Sequence, residues 1–145
     1  MLIVPDVSVI LKWVLQREDE PDFQQALGVL RSFLAKQIEV RLPTLWRYEV
    51  GNILGIKQPQ FAGEAMDTLL AYEFPEEGLH RDYCLAVLEF MREVKRASFY
   101  DASYHVLAVR SKGVYLTADR DYERQARRKG HIALLSEWQP AEASA

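Results

Sequence analysis

Cysteine is almost missing from this sequence. Cys84 stands alone, which excludes an intrachain disulfide and a zinc cluster built on thiolates. Only three histidines are present, His80, His105 and His131, and they are scattered, so no histidine cluster competes for a metal either. No apolar stretch approaches the ~20 residues of a membrane span. The opening MLIVPD has a four-residue apolar run and no basic segment before it, unlike a secretory signal. A cytoplasmic protein is expected. Internal repeats and low-complexity linkers are lacking. Excess positive charge is lacking too, since 21 acids against 18 bases leave a formal charge of −3, which argues against a general binder of nucleic acid or anionic membranes.

What is present fits one domain. The 145 residues are 49% hydrophobic and 27% charged, the balance of a globular chain. A domain of this size can bury roughly 68–70% of its unfolded surface. Residues 1–139 read as one unit, and 140–145 as a loose, small-residue tail.

Leu2 to Val4 suit a buried strand ending at Pro5-Asp6. Val9, Ile10, Trp13 and Val14 follow at helical spacing. Asp19, Glu20 and Pro21 are expected to open a helix whose stripe is Phe23, Leu27, Leu30 and Leu34. Ile38, Val40 and Leu42 alternate with polar residues as one short strand, and Thr44 is placed to cap a helix carrying Trp46, Val50, Ile53 and Leu54. A helix at Gly63–Tyr72 precedes an ambiguous segment, Phe74–Leu79. Helices at Arg81–Val94 and Phe99–Lys112 come next, the second closed by Gly113 at its C′ position. A strand at Val114–Leu116, a helix at Asp119–Lys129 closed by Gly130, and a strand at Ile132–Leu135 complete the chain. Apolar strands alternating with helices predict a three-layer α/β/α sandwich around a mainly parallel sheet.

In such sheets the working crevice lies beyond the carboxyl ends of the strands. Asp6, Glu49, Asp101 and Asp119 all fall at or near helix starts there, among apolar neighbours and not in charged runs. Each alone suits a helix cap or a helix dipole. Four converging carboxylates would repel and hold one another's protons, unless a hard cation offsets the charge. Mg²⁺, or Mn²⁺ in its place, is the ion that carboxylates and water bind. An acidic pocket with such an ion points to phosphoryl-transfer chemistry. His105, four residues beyond Asp101, is read as a packing residue, and so are Trp13, Trp46, Tyr48, Tyr100 and Tyr104, whose alternative use is stacking on bases.

Four stretches carry a family resemblance. Asp6-Val7-Ser8-Val9-Ile10-Leu11-Lys12-Trp13 resembles the opening of PIN-domain nucleases, above all the VapC-type toxins of bacterial toxin–antitoxin pairs. Pro43 to Leu54 (PTLWRYEVGNIL), Ser98 to Tyr104 (SFYDASY) and Leu116 to Tyr122 (LTADRDY) resemble the three later motifs, in order, over nearly the whole chain. The resemblance implies a ribonuclease with Asp6, Glu49, Asp101 and Asp119 as ligands of Mg²⁺. It implies Ser8 and Thr117 as hydroxyls holding a carboxylate, a water or the substrate phosphate, and Asn52 as a supporting partner. Asp121 is either a water-mediated helper or a solvated acid, the second being favoured. Pro5 and Val7 depart from the family pattern without touching the carboxylates. By the same analogy the partners are RNA, a small VapB-like antitoxin and a second copy of the chain, joined through the Phe23–Leu34 and Phe61–Tyr72 regions. A catalytically silent PIN-like binding module is the rival. A haloacid-dehalogenase-like phosphatase would need a second acid where Ser8 stands, and a response-regulator receiver would need an acidic neighbour for Asp6.

The charge is also unevenly spread. Residues 1–91 hold 14 acids and 8 bases, whereas residues 92–129 hold 10 bases and 5 acids. Arg120, Arg124, Arg127 and Arg128 belong to that basic half and are candidates for a phosphate path, against the alternative of ordinary solvated helix faces.

Overall fold

The wholly apolar run after Met1 becomes β1 (Leu2–Pro5), a central strand with Ile3, Val4 and Pro5 buried. The computed structural model describes residues 1–140, so the expected loose tail lies, apart from Pro140, outside the described residues. β1 pairs in parallel with β2 (Glu39–Val40) on one side and β5 (Val114–Thr117) on the other; β6 (Ile132–Leu134) pairs in parallel with β5. The sheet order is β2-β1-β5-β6. Pro5 is tolerated inside this sheet for a local reason. The amides of β1 that face β2 are those of odd-numbered residues, and β2 ends before reaching Pro5, so its missing N–H forfeits no ladder bond.

Helices α1 (Val7–Leu15) and α2 (Phe23–Leu34) cover one face, while α5 (Arg81–Glu93) and α6 (Phe99–Arg110) cover the other. Helices α3 (Leu45–Lys57) and α4 (Ala62–Ala71) pack beside α1, and α7 (Arg120–Ala126) beside β6. This is the expected α/β/α sandwich. Under α1 and α3, Phe74 is ringed by Trp13, Phe33, Trp46 and Tyr72 at centroid distances of 5.1–6.1 Å.

Several local expectations are corrected. The Ile38–Leu42 strand is divided at Arg41. β2 joins the main sheet, and β3 (Leu42–Pro43) turns away to pair in parallel with β4 (Glu76–Glu77), which resolves the ambiguous Phe74–Leu79 segment. α2 starts at Phe23 and not at Asp19, because Glu20 is taken by Lys12 at 3.0 Å and Asp22 adopts a left-handed conformation at φ 65°. Its inward side chains are Phe23, Ala26, Val29 and Leu30, whereas Leu34 is exposed. Thr44 stands at the N-cap of α3 without a side-chain cap bond. Beyond α7, Arg127–Lys129 form a 3₁₀ turn closed by Gly130 at φ 69°.

The end of α6 holds the most instructive difference. Lys112, at φ 57°, takes the left-handed position, and the Gly113 amide closes the motif by donating to Ala108 O at 2.8 Å. Gly113 is required by proximity. A Cβ there would sit 2.6 Å from the Leu2 carbonyl oxygen and 2.5 Å from Leu2 Cδ2.

Candidate active site

The carboxyl end of β1 delivers Asp6 into a hydrogen-bonded seat. Its amide donates to Leu116 O at 2.9 Å, which pins the end of β1 to β5. Its Oδ1 accepts the Val7 amide at 2.7 Å, capping α1. Its Oδ2 accepts the hydroxyls of Thr117 at 2.9 Å and Ser8 at 3.2 Å. Thr117 Oγ1 in turn accepts the Asp119 amide at 3.1 Å, so one hydroxyl ties two acid-bearing strand ends together. Asp119 caps α7 by accepting the Tyr122 amide at 3.0 Å. Asp101 sits in the first turn of α6, where Ser98, and not Asp101, is the cap; the Asp101 amide donates to Ser98 Oγ at 3.0 Å. Glu49 projects from α3, between buried Trp46 and Val50.

The four acids share one electrostatic neighbourhood. Burial, reinforced by Asp101, pushes the Asp6 carboxyl up from 3.8 to about 6, although Thr117, Val7 and Ser8 pull the other way. Burial raises Glu49, with Asp6 and Asp101 adding to it, against the nearby Tyr104 hydroxyl. Burial also raises Asp101, and the Asp119 charge adds to that. Glu49 Oε1 and the Tyr104 hydroxyl are both buried without a hydrogen-bond partner of ordinary geometry. A carboxylate raised by Asp6 and Asp101 as well as by burial has the chemistry that an oxygen-seeking cation takes. Among the described residues, however, no three Asp, Glu, His or Cys side chains stand close enough together to ligate one ion as they are arranged.

The remaining candidates sort by position. Asn52 is exposed one turn beyond Glu49 and lines an open pocket beside it, outside the hydrogen bonds that hold the acids. Asp121 is exposed and pairs with Arg124 at 3.7 Å. Arg120 stands beside Asp119 at the start of α7. Arg127 makes a two-pronged pair with Glu123, both bonds 2.8 Å long, and Arg128 and Lys129 turn to Glu93 at the end of α5. His105 is a buried packing residue whose Nε2 bonds Gly130 O at 2.7 Å and whose Nδ1 bonds the Tyr122 hydroxyl at 2.9 Å.

The aromatic expectations divide. Trp13, Trp46 and Tyr104 are buried as expected, but Tyr48 is 78% and Tyr100 55% exposed. The signal for this was in the chain. Each tyrosine immediately precedes an acid, Glu49 or Asp101, and adjacent helical residues point about 100° apart. If the acid faces the crevice, the tyrosine borders it.

Against known proteins, the sequence matches the family model described as PIN domain over residues 3–128. The chain belongs to the PIN-domain family. The matched span contains all four acids of this PIN domain and stops before β6. A chain of VapBC2 from Rickettsia felis, in a crystal structure with a DNA fragment from their promoter, superposes with a TM-score of 0.69 at 11% identity, covering 92% of this chain and 98% of that one. VapC20 from Mycobacterium tuberculosis, described as a sarcin-ricin loop cleaving toxin, superposes with a TM-score of 0.61 at 20% identity, covering 84% and 93%. No curated protein matches the sequence significantly. None of the helices described is long and apolar enough to cross a membrane.

Proposed function

We propose that this PIN domain is a divalent-metal-dependent endoribonuclease and the toxin of a type II toxin–antitoxin pair. One observation carries the reading: acids from four different elements act on one another's protons, Asp6 being pushed up to about 6 by burial and by Asp101, and Asp101 raised by burial and by Asp119. RNA is the proposed substrate by likeness to VapC20, a sarcin-ricin loop cleaving toxin.

Asp6, Glu49, Asp101 and Asp119 are the residues that would hold Mg²⁺ or Mn²⁺. When bound, such an ion lowers the pKa of water and offsets charge on the leaving oxygen of an in-line phosphodiester displacement. The protein's own part is orientation. Ser8 and Thr117 lock the Asp6 carboxylate, and the Tyr122 amide fixes Asp119. Arg120 at the start of α7 and Arg124 in its last turn would meet substrate phosphates, and Arg127, paired with Glu123, and Arg128, turned to Glu93, belong to the same proposed path. Asn52 and Asp121 act at the margins of the site.

A small VapB-like antitoxin is the proposed partner, on the strength of the likeness to VapBC2. Homodimerisation is proposed through α2 and α4, where Leu34 and Leu70 are exposed. Light scattering that finds only monomer at micromolar concentration removes the dimer.

The spread of the acids, no three of them within reach of a common ion, is what favours a silent binding module instead. One assay separates the two. Protein freed of any co-purifying partner is incubated with total RNA and Mg²⁺ or Mn²⁺, with EDTA, and as Asp6→Asn or Asp101→Asn. Cleavage by the wild type alone, abolished by EDTA, is expected. Equal cleavage by the variants overturns the mechanism, and no cleavage by any protein leaves the binding module.

A further inference from the structure

The pocket beside Glu49 has a composition that the acid site does not need. It is an open depression of about 470 Å³ lined by Leu45, Tyr48, Glu49, Asn52, Ile53 and Tyr100. Among the described residues, neither Tyr48 nor Tyr100 has an aromatic neighbour or a hydrogen bond to its hydroxyl. Two large rings therefore stand in water without serving the core. No lysine or arginine lines the pocket, so it is not built for phosphate. Leu45 and Ile53 supply apolar wall, and the exposed Asn52 amide offers one donor group and one acceptor with no partner among the described residues.

We infer that this pocket is a nucleobase subsite, in which Tyr48 and Tyr100 stack an unpaired base of the substrate strand and Asn52 meets its polar edge. The inference rests on the ribonuclease reading and adds that the substrate is single-stranded or flipped out at this nucleotide. The placement follows from helix geometry. Tyr48 precedes Glu49 on α3 and Tyr100 precedes Asp101 on α6, so each ring lies about a quarter-turn from an acid. A phosphodiester held at the acids brings its neighbouring base against those rings. Unstacked bases are the usual targets of aromatic side chains in RNA recognition, since every base offers a π-face.

The test uses the full chain carrying Asp6→Asn, so that RNA is bound and not cut, and a fluorescein-labelled single-stranded RNA octamer read by anisotropy. Tyr48→Ala and Tyr100→Ala should each weaken binding about 5- to 100-fold, whereas Tyr48→Phe and Tyr100→Phe should hold it within about twofold. Octamers with one abasic position, moved along the strand, should reproduce the loss at one position. There, the alanine substitutions should cost nothing further. Alanine variants that bind like their parent, or abasic octamers that bind like the intact one, overturn the subsite. So does retained RNA affinity with lost binding of a co-expressed antitoxin, which assigns the rings to a protein partner. A parallel arm with Asp6 intact and Mn²⁺ present tests the nuclease by itself. Cleavage with tyrosine-independent binding removes only the subsite, tyrosine-dependent binding without cleavage removes only the nuclease, and absence of both removes both.

Discussion

Replacing Asp6 by Asn should make the metal-free protein more stable at neutral pH, although it removes a hydrogen-bonded residue from the end of β1. Asp6 holds its proton to about 6 in the fold and to 3.8 ordinarily. A carboxyl that binds its proton more tightly when folded supports the fold fully below 3.8, and that support is lost as pH rises through about 6. At 1.36 kcal/mol per pH unit, the ionised Asp6 withholds ~3 kcal/mol at pH 8. Asparagine keeps the Oδ1 acceptor for the Val7 amide, and its Nδ2 can donate to the Ser8 and Thr117 oxygens that now donate to Oδ2. Redirecting those hydroxyls costs about 1 kcal/mol, leaving a gain of about 2 kcal/mol. For a domain of this size that is roughly 7 °C in Tm. Thermal unfolding followed by circular dichroism in EDTA, at pH 8 and pH 4, measures it. The gain should be present at pH 8 and absent at pH 4, and Mn²⁺ should raise the Tm of the wild type only. An Asp6→Asn protein that is less stable than wild type at pH 8, or equally shifted at both pH values, refutes the charge argument.

Gly113→Ala should destabilise by about 1–3 kcal/mol in urea unfolding, because the added Cβ would meet Leu2 O at 2.6 Å, whereas Lys112→Gly should gain up to about 1 kcal/mol by relieving the φ of 57°. Burial lowers the pKa of His105, so its neutral form supports the fold above the ordinary 6.5 and that support is lost as pH falls below it. His105→Phe should flatten this acid limb while costing about 1–3 kcal/mol at pH 8, by stranding Gly130 O and the Tyr122 hydroxyl; an unchanged limb counts against the buried-imidazole account. RNA cleavage under subsaturating conditions should weaken as salt rises. Arg120→Gln should reduce the log–log slope by about 1 and Arg127→Gln should leave it, since Glu123 already pairs with Arg127; equal slopes for the two variants refute that division.

Much of the molecule was legible in the chain before folding is considered. Helix starts at Val7 and Arg120 follow from Asp6 and Asp119, short polar side chains that cap through their own oxygens, whereas the cap of α6 proved to be Ser98 and not Asp101. Buried parallel strands are apolar throughout, so β1 and β5 could be placed without their partners. The order of the four acids along the chain likewise needed no structure, because each follows or opens an element. Local chemistry determines these features.

Tertiary structure decided the rest. A helical stripe states which positions recur but not the direction from which the partner arrives, so α2 turned Ala26 and Val29 inward and left Leu34 outside. Two-residue strands such as β3 and β4 carry too little local signal to declare themselves, and they exist only because Leu42 and Pro43 meet Glu76 and Glu77 across 34 residues. That Arg128 and Lys129 turn to Glu93 was set by the packing of the turn after α7 against the end of α5. Tyr48 and Tyr100 were exposed because Glu49 and Asp101 claimed the crevice, and composition alone treats a tyrosine in the core and one at the rim of a site as the same residue. Sequence determined what each segment could become, since that depends on neighbours a few bonds away; only the packed fold decided what each side chain faces, since that depends on residues distant in the chain.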